Sequence, residues 1–379
     1  MRPAAAACLA AVAAVAAAAL GAGERDAAKY DENMALRAVD DGAGVLWIDG
    51  RDLPLEGKAY DDVDEFYDRL PKGLSTNVNA GVRALLHCSA GMQFRFRAEA
   101  EKLRFRWKPR GGSLSMDHMP ASGVSGIDVY RRGADGGRWR YVKTGRIQSA
   151  DGGALDVDWT PGDECIVNLP LYNGVSSFRL GVDRDARVSP AGPRRSGVEK
   201  PVVFYGTSIT QGGCCSRPGV SFVNLVGRAL DVPVVNLGFS GSGVMDLELA
   251  DVIARIDASC YVLDCVWNMR GWKMDRFAPA YESFVRRLRE LRPGVPIVLA
   301  EKSDVYCGPR IDKDDFVRDF ARRLSEEGWK GVVYLPRDGM YDQSGEGSVD
   351  GIHPNDLGMA TMARAYGRAV REALGLRKR

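Results

Sequence analysis

A chain of 379 residues is too long for one ordinary domain, and its 45% hydrophobic content can fill two cores. The 52 basic and 50 acidic residues leave a formal net charge of +2 and are spread without a dense basic run, which gives no case for a nucleic-acid partner. After the N-terminal stretch no segment is apolar enough to span a membrane.

Residues 1–23 read as an export signal. Arg2 supplies a short positive region, Ala4 to Leu20 an apolar one, and either Ala19-Leu20-Gly21 or Gly21-Ala22-Gly23 suits signal peptidase. An alanine-rich stretch this short is a poor membrane anchor, and Cys8 sits too early for lipid attachment. The expectation is a secreted or periplasmic protein, and the Ala-, Gly- and Arg-rich composition suits a bacterium with a GC-rich genome. Loss of Cys8 leaves Cys88, Cys165, Cys214, Cys215, Cys260, Cys265 and Cys307, an odd set that implies at least one free thiol or an intermolecular bridge. At most two or three disulfides are possible. With no C-x-x-C pair, and His87, His118 and His353 as the whole histidine set, a structural zinc site is not expected.

Residues 24–182 carry strand patterns. Segments 93–97 and 103–107 alternate apolar with charged residues, as a half-buried antiparallel sheet does. Segments 127–130 and 139–142 flank a Gly-rich turn and read as a hairpin, and 165–169 and 177–180 continue the series. The prediction is an all-β, jelly-roll-like sandwich. Its aromatics Trp47, Tyr130, Trp139 and Tyr172 either stack on sugars or fill the core. The loop Met116-Asp117-His118-Met119-Pro120 either folds over the second domain or is a packing loop. Residues 183–200, polar and bearing Pro190 and Pro193, are expected as the linker.

From residue 201 to 379 short apolar strands alternate with amphipathic helices. Strands are expected at 202–205, 234–237, 261–266, 297–300 and 332–335. Helices are expected at 222–230, 247–256, 281–291, 316–324 and 357–374. Five such units predict a parallel sheet covered by helices on both faces.

The first of these strands runs into Gly206-Thr207-Ser208, a turn that can lift one hydroxyl above the sheet beside the free N–H groups of a helix start. Near the C-terminus stands Asp350-Gly351-Ile352-His353-Pro354-Asn355. This spacing lets the Asp350 carboxylate reach the His353 ring and hold the tautomer whose Nε2 accepts a serine proton. The alternative is a helix start capped by Asn355, with His353 incidental. Between them, the glycines around Gly241 allow backbone N–H groups to converge on a small anion, and Asn268 follows the third strand with an amide at the sheet edge.

The order Gly206-Thr207-Ser208, Gly241, Asn268 and Asp350-x-x-His353 resembles the SGNH (GDSL-type) hydrolase superfamily, above all its two-domain members with an N-terminal β-sandwich. The resemblance implies a three-layer, flavodoxin-like catalytic domain with a five-stranded parallel sheet. It also implies Ser208 as nucleophile, His353 as general base and acid, and Asp350 as its orienting carboxylate. The Ser208 N–H, the Gly241 N–H and the Asn268 amide would form the oxyanion hole, with no metal or organic cofactor. Thr207 replaces the acidic residue usual before the serine, and Trp267-Asn268 departs from the usual third block. Trp267 adds bulk that favours a small acyl group. The family resemblance implies a serine esterase, with O-acetyl groups on a polysaccharide or glycoside as the substrate expected. A lipase or thioesterase with the same site, or a carbohydrate-binding protein with a relic site, are the other readings. Oligomeric state is not legible.

Overall fold

The structure, a computed structural model, describes residues 38–303, 308–341 and 344–377. The expected export signal, Cys8 and Cys307 lie outside them. Among the described residues no helix is long and apolar enough to cross a membrane.

The N-terminal part is a sandwich of two antiparallel sheets, as the alternation predicts. One sheet runs in the order Ala38–Asp40, Val45–Asp49, Val175–Asp183, Lys102–Pro109, Gly153–Asp158. The other runs Arg187–Pro190, Gln93–Glu99, Glu164–Asn168, Ile127–Arg132, Arg140–Gly145, with Leu55–Glu56 paired to Gln93–Glu99. Phe94, Phe96, Phe105, Trp107, Phe178 and Leu180 interdigitate between the sheets. The segment expected as a linker thus supplies the end of one strand and the whole of the edge strand Arg187–Pro190.

The C-terminal part is a parallel sheet of β1 (Val202–Gly206), β2 (Val234–Gly238), β3 (Cys260–Asp264), β4 (Ile297–Ala300) and β5 (Val332–Leu335). Its spatial order is 2-1-3-4-5, the flavodoxin-like doubly wound arrangement. Every residue of β1 to β4 is buried, which is why these strands read as continuous apolar runs. Alternate side chains serve two cores. Val203, Tyr205, Leu237, Leu263 and Leu299 pack on helices Leu247–Ile253, Met274–Leu291 and Asp312–Glu326. Phe204, Val234, Val262 and Val298 pack on Phe222–Leu230 and Asp356–Ala373. Several expected boundaries shift, among them the helix expected at 316–324, which runs Asp312–Glu326. The third strand stops at Asp264, and Val266–Met269 form a helical turn. The helix expected at 247–256 ends at Ile253. The one expected from 281 begins at Met274 and takes Pro279 into its second turn, where the helix forgoes one i→i−4 hydrogen bond.

The two parts share buried surface. Tyr60, Leu70, Val78, Val82 and Leu86 belong to the chain before the second sandwich strands, yet they lie in the core of the parallel-sheet domain. The charged face of Gln93–Glu99, expected to meet water, meets protein instead. Arg95 pairs with Glu164 and Glu56, and Arg132 joins Glu164 to Asp231 of the second domain at 2.7 and 3.0 Å. Alternation distinguishes apolar from charged faces but cannot say whether the charged face is solvated or partnered. Tyr130, a candidate sugar platform, is buried here with the Arg228 guanidinium 3.9 Å from its ring centroid.

None of the six described cysteines is in a disulfide, and all are buried. Cys214 and Cys215 are loop structure, not disulfide halves.

Candidate active site

Strand β1 delivers Ser208 to the crevice beyond the carboxyl ends of β1 and β3, where the strand order reverses. Thr207 caps the short helix Ser208–Gln211: its Oγ1 accepts from the Ile209 N–H at 3.2 Å, while Thr210 Oγ1 accepts from the Thr207 N–H at 3.3 Å. A threonine before the serine therefore has a structural reason, since it closes a reciprocal capping box on the turn. Thr210 Oγ1 in turn donates to Asp264 Oδ2 at 2.7 Å, and Ser303 Oγ donates to Asp264 Oδ1 at 2.6 Å. Tyr172, from the sandwich domain, donates its hydroxyl to the Ser208 carbonyl at 3.1 Å. It supports the turn that carries Ser208.

Complete burial pushes the Asp264 carboxyl from 3.8 up to about 6, against the pull of the Ser303 and Thr210 hydroxyls. A folded-state pKa above the unfolded one means that the native protein holds a proton the unfolded chain has lost between about pH 4 and 6. That group's contribution to stability is therefore present below about pH 4 and lost as pH rises through 6. Asp264→Asn removes the slope. The unfolding free energy of the variant relative to wild type should shift in its favour by up to about 3 kcal/mol from pH 4 to pH 7, read from urea midpoints at the two pH values. An unchanged difference would mean that Asp264 stays ionised throughout.

Ser208, 5% exposed, places Oγ 2.8 Å from His353 Nε2, and His353 Nδ1 lies 2.7 Å from Asp350 Oδ2. Asp350 Oδ1 accepts from the backbone N–H groups of Ile352 at 2.9 Å and His353 at 2.7 Å. Partial burial raises the Asp350 pKa, but the His353 N–H, the ring and the Ile352 N–H outweigh it and hold the carboxyl below its ordinary value. Asn355 caps the last helix, its Oδ1 accepting from Leu357 and Gly358 at 2.9 and 3.1 Å. The cap does not compete with the Asp350–His353 pair; both features share one turn.

The residues expected to face the oxyanion stand on the loop after β2 and on the turn after β3. Gly241 has φ +66° with open space around its α-carbon, a backbone conformation that side-chain-bearing residues seldom adopt. Gly243 packs on β1 so closely that a Cβ would lie 1.9 Å from the Gly206 carbonyl oxygen. Among the described residues no acceptor takes the Ser208 or the Gly241 N–H. Asn268 sits on the helical turn Val266–Met269, one step beyond the strand end where it was expected. Its amide has two orientations. One has Nδ2 donating to the Phe239 and Gly243 carbonyls at 3.4 and 3.3 Å. The other has Oδ1 accepting from the Gly243 and Ser242 N–H groups at 3.1 and 3.2 Å. The second is favoured, because the first sets Nδ2 against two N–H donors and gains only long contacts. Asn268→Ala is expected to lower kcat on p-nitrophenyl acetate about 100- to 1000-fold with little change in KM. A loss under threefold would remove Asn268 from the site.

Several residues that shape this site carry no local sequence signal. Arg69, fully buried, donates to the carbonyls of Asn236 at 3.1 Å, Gly238 at 2.7 Å and Leu85 at 2.7 Å, fixing the start of the loop that carries Gly241. Gln211 Oε1 accepts from the Ser240 N–H at 3.0 Å, tying that loop to the serine helix. Cys214 lies beside the histidine turn, but burial and then the Asp350 and Asp117 carboxylates push its thiol up to about 12, so it stays protonated at neutral pH.

One group among the described residues brings potential metal ligands together: Glu65, Asp68 and His87. Its oxygens are already engaged. Arg110 holds Glu65 through two bonds of 2.8 Å, and Asp68 Oδ1 lies 2.7 Å from His87 Nδ1.

Residues 199–371 match the GDSL-like Lipase/Acylhydrolase family, and residues 45–188 match the N-terminus of SGNH hydro-type esterases. The chain belongs to the SGNH (GDSL-type) hydrolases. It is an SGNH esterase, built as the family's two-domain members are. A Bacteroides ovatus protein described as a GDSL-like lipase superposes with a TM-score of 0.77 at 26% identity, over 88% of this chain and 99% of that one. A salicylyl-acyltransferase from a tetracycline biosynthetic pathway gives 0.68 at 21%, over 88% and 98%. A family two carbohydrate esterase from Clostridium thermocellum, in complex with cellohexaose, gives 0.53 at 13%, over 76% and 93%. The last two likenesses are of fold. No curated protein matches the chain.

Proposed function

We propose that this SGNH esterase is exported and removes acetyl or similarly small acyl groups from a polysaccharide or glycoside, with Ser208, His353 and Asp350 as its triad. The reading rests on one observation above others: an unbroken relay from Ser208 Oγ through both nitrogens of His353 to Asp350, at 2.8 and 2.7 Å. Ser208 attacks the ester carbonyl as His353 Nε2 takes its proton. The oxyanion meets the Ser208 and Gly241 N–H groups and the Asn268 amide. His353 then protonates the leaving alcohol, and a water activated by the same nitrogen releases the acid. Asp350 keeps the ring in the required tautomer and offsets the imidazolium charge.

A small acyl group is favoured by the bulk of Trp267, which stands next to Asn268 on the turn Val266–Met269. A carbohydrate alcohol is favoured by the fold shared with the esterase that binds cellohexaose. Acetate release from acetylated xylan and from p-nitrophenyl acetate, by wild type and Ser208→Ala, tests the reading. Release from both by wild type alone is the expected result. Cleavage of p-nitrophenyl acetate without any release from acetylated carbohydrate would overturn the substrate assignment.

A further inference from the structure

The loop 116–120 reaches the site from the sandwich domain. Its tip is held, not free. Met116 and Met119 exchange backbone hydrogen bonds of 2.9 and 3.3 Å, and Met119 is 1% exposed within the core that also contains Leu171 and Cys215. Close behind it, Ser122 Oγ donates to the Ser216 carbonyl at 2.6 Å, and Gly123 packs so tightly that a Cβ would lie 2.1 Å from the Cys215 carbonyl oxygen. The loop is thus anchored to the chain that follows the serine helix. At its tip the His118 ring lies 6.1 Å from the His353 ring, centroid to centroid, at an interplanar angle of 47°. His118 Nδ1 is 2.6 Å from Asp117 Oδ1, and its side chain remains 41% exposed. The site therefore carries two histidine–carboxylate pairs, one from each domain.

The chemistry distinguishes them. His353 must hand a proton to the departing alkoxide, so the alcohol part of the ester lies over His353, away from the oxyanion donors. A group beside His353 and exposed to the crevice meets that alcohol. With Nδ1–H directed at Asp117, His118 presents Nε2 as an acceptor, suited to a hydroxyl and not to an apolar group.

We propose that His118 is a specificity-determining residue that accepts a hydrogen bond from a hydroxyl next to the scissile ester, and so selects esters of polyhydroxylated alcohols. The proposal rests on the Ser208–His353 reading and adds to it how the sandwich domain takes part in substrate choice.

The test compares kcat/KM for glyceryl monoacetate and propyl acetate, which share the acyl group and differ in the hydroxyls of the alcohol. Wild type, His118→Ala, His118→Gln and Ser208→Ala are measured as full chains. The wild type should prefer the glyceryl ester. In His118→Ala the ratio of the two values should fall about tenfold, mainly through KM, as expected for one lost hydrogen bond. Gln offers a carbonyl acceptor and should restore part of the ratio, which a merely structural role would not do. An unchanged ratio in both His118 variants, with Ser208→Ala inactive, overturns the proposal and leaves the triad standing. An equal loss on both esters also overturns it, because His118 would then serve the fold or the chemistry. Wild-type rates in Ser208→Ala would remove the triad reading and the proposal together.

Discussion

Ser208→Ala should abolish ester hydrolysis, with a loss in kcat on the order of a millionfold by comparison with other serine triads. On the proposed mechanism, removing Oγ removes the nucleophile. Cys214 is in the neighbourhood, but its thiol, pushed up to about 12, is not a thiolate at neutral pH. The change takes one oxygen from a side chain that is already 5% exposed, so the fold should survive and thermal unfolding should move little. His353→Ala should cost a similar factor. Because the two residues act as one unit, the double variant should be scarcely worse than either single one. Additive losses would mean that Ser208 and His353 act in separate steps.

Asp350→Asn should come next in size, about 100- to 10,000-fold in kcat. In a buried triad the equivalent change costs about 10,000-fold, because the amide favours the wrong tautomer of the ring. Here the Asp350 side chain is 36% exposed, so water can share the imidazolium charge and the loss should lie toward the lower end. Asparagine is the informative substitution. Its oxygen can still accept the Ile352 and His353 N–H groups that Asp350 Oδ1 binds, so the turn keeps its shape and the change is confined to the ring contact. The comparison is kcat and KM on p-nitrophenyl acetate. A change below threefold would make Ser208 and His353 a dyad without Asp350.

What the sequence made legible follows from the range of the interactions. Strands β1 to β4 are buried on both faces, and a continuous apolar run between turn residues is a short-range signal. Asp350 and His353 share one turn, and Ser208 stands where a strand meets a helix, so each is visible within a few residues. The antiparallel sandwich announced itself through alternation in 93–97 and 103–107. Arg69 was hidden because its partners, Asn236 and Gly238, lie far along the chain; Tyr172 and the loop of His118 stood out in the sequence, but their contacts with Ser208 and His353 did not, for the same reason. The burial of Arg95 was missed for the same reason, since charge looks alike at a wet surface and at a domain interface, whereas buried Tyr130 falls to the core-filling alternative of its two readings. Asn268 was read at a strand end and lies on a helical turn, because Cys265 to Met269 is as apolar as the strand it follows.

The central claim is that a covalent acyl-enzyme forms on Ser208. The most direct measurement is peptide mass mapping after reaction with a phosphonate ester that traps serine nucleophiles. A single adduct on the peptide containing Ser208, formed fast in wild type and slowly in His353→Ala, is the predicted result. An adduct on another residue, or full esterase activity with Ser208 unmodified, would contradict it.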